Sequence, residues 1–74
     1  MYKEIEEIRR DSGMTQSEFA RYIGTARRTY LNRITGERPR WYFEELIKVA
    51  ELNEGEVIVS TDGTKYRIKI ETVD

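Results

Sequence analysis

The sequence predicts a mainly α domain: four short helices, with a helix, a tight turn and a second helix at its centre, followed by a C-terminal β-hairpin. Three observations carry this expectation. Apolar residues recur at helical spacing between Ile5 and Leu52, and Thr15-Gln16-Ser17-Glu18 reads as a helix start. Beyond Gly55 the periodicity drops from about 3.6 to about 2 around Asp62-Gly63. A chain of 74 residues has room for one domain. Within it, residues 1–54 form the helical region and residues 55–74 a hairpin that packs or dimerises.

The first helix is expected from Tyr2 to Arg10, where Ile5 and Ile8, with Tyr2 a turn earlier, lie beneath a glutamate-rich outer face. Gly13 supplies its stop. In the second, the Thr15 hydroxyl can accept from the amide of residue 18 while the Glu18 carboxylate reaches back to the Thr15 amide. That helix carries Phe19, Ala20 and Ile23 inward and stops at Gly24. A third follows from about Ala26 to Thr35, capped by Thr25 and ended by Gly36. Pro39 suits the first turn of a fourth, expected from about Arg40 to Leu52. Its inward rows are Phe43, Ile47 and Ala50, and Tyr42, Leu46 and Val49. Trp41, Tyr42 and Phe43 are adjacent, so one helical face cannot bury all three, and they are assigned to packing.

Residues 56–73 read as the hairpin, with Asp62-Gly63 as its two-residue turn. That turn pairs Val57 with Ile68, Val59 with Tyr66 and Thr61 with Thr64 on one face. The other face pairs Glu56 with Lys69, Ile58 with Arg67 and Ser60 with Lys65, leaving Ile58 as its lone apolar residue.

Composition narrows the function. The chain contains neither cysteine nor histidine, which removes disulfides, thiolate nucleophiles, the usual zinc ligand sets and imidazole bases. No catalytic residue, metal site or cofactor is expected, and the chain is not read as an enzyme. Glu4, Glu6, Glu7, Glu44 and Glu45 are read as solvated faces. With no apolar run near 18 residues and no basic-then-apolar leader, the expected location is the cytoplasm, away from membranes.

The net charge of -1 conceals an uneven distribution. Residues 21–40 hold six basic side chains (Arg21, Arg27, Arg28, Arg33, Arg38 and Arg40) against one acidic, a local +5. Residues 41–60 hold one lysine against five acids, a local -4. A basic window of this kind suits a polyanion. On the third helix, Arg27, Arg28 and Asn32 should project outward together if Tyr30 faces inward. Arg can donate two hydrogen bonds to guanine and Asn can pair with adenine, and an α-helix fits the major groove. Gln16 opens the second helix, where backbone amides favour a phosphate. Arg38 and Arg40 can reach neighbouring phosphates.

The string Thr15-Gln16-x-x-Phe19-Ala20-x-x-Ile23-Gly24, then Arg28-Thr29, then Gly36-Glu37-Arg38-Pro39, resembles the Cro/C1-type (XRE-like) helix-turn-helix family of phage and bacterial regulators. The resemblance covers roughly residues 3–52 and implies a compact DNA-binding domain, usually dimeric. By this likeness Gln16, beside Thr15, takes a phosphate role, and Arg27, Arg28 and Asn32 take the base-contacting positions. The chain departs from the family pattern in three places. Glu37 stands where lysine is frequent, Ala26 where a polar residue is common, and Arg33-Ile34 where the order is usually apolar then acidic. This last exchange leaves the rotation of the third helix open.

The function expected is therefore a sequence-specific double-stranded DNA-binding regulator, a repressor or Cro-like protein acting as a homodimer, phage-derived or bacterial. Two recognition helices about 34–36 Å apart would read a nearly palindromic site. The hairpin is the candidate dimerisation element, through Ile58, Tyr66, Ile68, Ile70 and Val73, because its second strand lies at an edge. The alternative is a protein-interaction module such as an antitoxin or phage adaptor, which the acidic overall charge favours.

Overall fold

In a computed structural model the chain is described over residues 1–36, 40–61 and 63–71. Four helices, α1 (Ile5–Asp11), α2 (Gln16–Ile23), α3 (Arg27–Thr35) and α4 (Phe43–Glu51), precede the antiparallel strands β1 (Glu56–Thr61) and β2 (Thr64–Lys69). The hairpin register is the expected one, from Glu56 opposite Lys69 to Thr61 opposite Thr64. The turn residue Asp62 and the terminal Val73 lie outside the described residues.

Each element contributes to one core. Ile5 and Ile8 of α1 meet Phe19, Ala20 and Ile23 of α2, Tyr30 of α3, Val49 and Ala50 of α4, and Val57 and Val59 of β1. Ile68 and Ile70 pack against this cluster from the second half of the hairpin. Alternation therefore works as the sequence implies: the valines of β1 cover the helices while Ser60, Lys65, Arg67 and Lys69 stay exposed.

Four expectations need correction. First, α1 begins at Ile5, not Tyr2, because the preceding residues are extended and form a third partner for the hairpin. Glu4 bridges Ile58 in parallel, and the Ile58 amide donates to the Lys3 carbonyl at 2.8 Å. Tyr2 is consequently not a helical core residue; the Arg67 guanidinium lies 5.4 Å from its ring centroid. Second, the N-cap of α3 is Ala26, which is exposed, rather than Thr25, and it supplies no side-chain hydrogen bond. The Thr25 amide instead donates to the Ala20 carbonyl at 2.9 Å, which ties Thr25 to the end of α2.

Third, α4 starts at Phe43, and Tyr42 and Phe43 are 59% and 71% exposed instead of heading inward rows. Tyr42 is extended, and Phe43 opens the helix at the end farthest from Val49 and Ala50, the residues that enter the core. Fourth, Glu45 is buried, not solvated, and takes an inward position one turn before Val49. Its carboxylate accepts from the Tyr42 amide at 2.9 Å and so closes the start of α4. Glu6 is likewise half-buried and not part of a solvated face, because Arg9 and Tyr30 both donate to it.

Candidate nucleic-acid interface

The capping box at the start of α2 forms as the residue types require. The Glu18 amide donates to the Thr15 hydroxyl at 3.1 Å, and the Thr15 amide donates to the Glu18 carboxylate at 2.9 Å. Hydrogen bonding from the Thr15 backbone holds the Glu18 carboxyl below its ordinary range. Thr15 is exposed and Gln16 half-buried at this end. The box satisfies residue 18, and the Phe19 amide reaches the Thr15 carbonyl, so the amides of Gln16 and Ser17 are the helix's N-terminal donors without a partner among the described residues. The approach to α2 is itself fixed: Arg9 donates to the Met14 carbonyl at 2.7 Å.

Between α2 and α3 the chain turns at Gly24, whose φ of 91° lies in the left-handed region that glycine adopts without strain. The Phe19 and Tyr30 rings, 5.4 Å apart and tilted by 59°, join the two helices. Tyr30 is the fully buried residue of α3, and its ring also meets Trp41 edge-on at 6.0 Å. With Tyr30 inward, the i, i+4, i+7 row Arg28, Asn32 and Thr35 is exposed. A second row, Arg27, Leu31 and Ile34, passes from exposed to half-buried along its length. Arg27, Arg28 and Asn32 are thus all accessible, with Arg27 on the flank. At the end of α3, a Cβ on Gly36 would sit 2.7 Å from the Asn32 carbonyl oxygen, so any larger residue would push on the outer row.

The opposite side of α3 carries the polar contacts. Arg33 donates through Nη1 to both Glu45 carboxylate oxygens at 2.6 Å, and its guanidinium lies 5.4 Å from the Trp41 centroid and 5.3 Å from that of Tyr42. This settles the rotation that the Arg33-Ile34 order left open. Arg33 faces α4, and Ile34 packs half-buried against the core. The signal for it was available, since an arginine at an inward position of one helix called for an acid at an inward position of another. Arg9, Glu6 and Tyr30 form a second polar group: Arg9 Nε donates to Glu6 at 2.8 Å, and the Tyr30 hydroxyl donates to the same oxygen.

These bonds make stability depend on pH at both ends of the scale. Burial pushes the Glu6 carboxyl up, but the hydrogen bonds from Arg9 and Tyr30 outweigh it and leave its pKa below the ordinary 4.5. Burial, aided by Glu6, raises the Tyr30 hydroxyl far above its ordinary 10.0. A lowered carboxyl contributes stability that is complete above 4.5 and lost as pH falls through its folded value. A raised phenol contributes stability that is complete below 10.0 and lost as pH climbs past it. The thermal midpoint should therefore be flat near neutrality and fall on both sides. Glu6→Gln should lower the neutral plateau and shrink the acid drop, and an acid limb identical to the parent's would contradict the role given to Glu6.

Arg40 is exposed, whereas Arg38 and Glu37 lie outside the described residues. No ion pair links Arg27, Arg28 or Arg40 to a carboxylate among the described residues. Of the hairpin residues, Ile58 is half-buried in a groove of about 150 Å³ with Trp41, Ile34, Glu4 and Glu6, Ile68 and Ile70 are half-buried, and Tyr66 is 52% exposed. No helix among the described residues is long and apolar enough to cross a membrane.

A capped helix, a glycine turn and a second helix that turns Arg28 and Asn32 outward define a helix-turn-helix DNA-binding unit. Residues 5–52 match the family model described as helix-turn-helix, and the chain belongs to that Cro/C1-type family of DNA-binding proteins. Comparison with curated proteins and with solved structures finds no match.

Proposed function

We propose that the protein is a sequence-specific regulator of transcription that reads double-stranded DNA with α3, as a repressor or Cro-like protein. The observation that carries this reading is the exposed row of Arg28 and Asn32 beside Arg27, set on a helix whose inner side is locked. Arg28 and Arg27 supply guanidinium forks suited to guanine, and Asn32 an amide suited to adenine. Gln16 and Thr15, with the amides at the start of α2, bind one phosphate, and Arg40 and Arg38 bind others. The family is DNA-binding, which supports the partner class; the assignment of roles rests on the side-chain chemistry.

One recognition helix per chain favours a homodimer on a nearly palindromic site. Among the described residues no strand pairs with the outer edge of β2, and Tyr66 of that strand is exposed, which supports pairing of two hairpins there. In vitro selection of duplexes from a random pool tests this arrangement through the symmetry and half-site spacing of the enriched site. A single, asymmetric site would contradict it.

Titration of variants on the enriched and a random duplex tests the roles. Arg28→Ala should weaken binding to the enriched site by about 1–3 kcal/mol and relax preference at one base pair. Gln16→Ala should weaken both duplexes alike. Affinity should also fall steeply as salt rises. An absence of binding at low salt would point instead to a protein-interaction module on the same helical frame.

A further inference from the structure

We infer that Arg33, through its bond to Glu45, is the positioning residue that sets the rotation of α3 and thereby decides whether Arg28 and Asn32 meet base edges. The inference rests on the reading of α3 as the recognition helix.

The rest of α3 is thinly anchored. Tyr30 is its one fully buried residue, and Ala26 gives it no cap bond. Its other inward contacts are the Tyr30 hydroxyl on Glu6, at the tip of a long side chain, and the half-buried Ile34, whose apolar contact is non-directional. Hydrogen bonds have a preferred direction. Arg33 is held on three sides, by both Glu45 oxygens at 2.6 Å and by the rings of Trp41 and Tyr42 at 5.4 and 5.3 Å. Glu45 is in turn fixed to the start of α4 by the Tyr42 amide, and α4 is seated in the core by Val49 and Ala50. Arg33 immediately follows Asn32, so a roll of α3 that opened this bond would swing the Arg28, Asn32 and Thr35 row with it.

Stability alone does not call for such a pair. The side chains are 12% and 8% exposed, and replacing a buried ion pair by apolar residues of similar volume is often neutral or stabilising. Directional contacts that fix register are the best-supported use of buried charge.

The test compares the parent, Arg33→Met/Glu45→Leu and Arg33→Lys by fluorescence anisotropy on the duplex enriched by selection and on a random duplex, at one salt concentration. Thermal melts of each variant accompany the titrations. The apolar double variant should fold and melt within about 5 °C of the parent, losing only the acceptor of the Tyr42 amide at the exposed start of α4, and bind random duplex within about twofold of it, because its phosphate contacts are intact. Its preference for the enriched duplex should fall by about tenfold or more, the scale of one lost bidentate base contact. A role in stability alone would leave that ratio unchanged. A folded double variant with the parent's ratio overturns the inference. If the double variant does not fold, Arg33→Lys carries the test, since it keeps the charge but loses the planar group between the rings. It too should lose discrimination, and an unchanged ratio overturns the inference. A parent that binds both duplexes equally sinks the underlying assignment of α3 instead, and the inference with it.

Discussion

Tyr30→Ala should leave the chain unfolded at room temperature. The side chain is fully buried, tilted against Phe19, edge-on to Trp41, and bonded through its hydroxyl to Glu6. Truncating a large aromatic in a core costs about 3–5 kcal/mol, while a core this small rarely supplies more than about 3–5 kcal/mol in total. Loss of one ring therefore matches the whole stability of the domain. Tyr30→Phe isolates the hydroxyl and should cost only about 1 kcal/mol, because Arg9 still satisfies Glu6. Far-ultraviolet circular dichroism and urea melts separate the two variants. A cooperative transition in Tyr30→Ala within a few degrees of the parent would show that the core does not depend on this ring.

Glu45→Ala should be the next most damaging change, at about 3 kcal/mol, because it strands Arg33 with 12% of its side chain exposed and removes the acceptor for the Tyr42 amide. Arg33→Ala should cost less, since Glu45 keeps the Tyr42 amide. The order of these two midpoints in urea is the measurement. If Glu45→Ala proves within about 0.5 kcal/mol of the parent, neither the pairing with Arg33 nor the bond from the Tyr42 amide carries the stability assigned to it.

What the residues disclosed in advance was local. The capping box needs four consecutive positions, and the hairpin register follows from one two-residue turn and a side-chain period of two, so both could be worked out before any coordinates. The inward Phe19, Ala20 and Ile23 and the outward Arg28 and Asn32 follow from spacing on short helices in the same way. Glu45 and Phe43 ran against expectation because hydropathy ranks a phenylalanine above a glutamate, while the fold ranks them by what stands opposite. Glu45 faces Arg33; Phe43, at the first turn of α4, is 71% exposed. The extended start of the chain was hidden for another reason: its bond from Ile58 to Lys3 is made by backbone, which carries no side-chain pattern.

That segment bears on how copies can associate. With Lys3 and Glu4 lying along β1, and the N-terminal amine held 3.0 Å from Glu56, one margin of the ribbon is already occupied. The Ile58 amide on that margin is spent on Lys3, whereas among the described residues no strand pairs with the outer side of β2. Two hairpins pairing as proposed would meet along that uncovered side, and the margin interrupted by Lys3 and Glu4 would be the poorer template for a further chain.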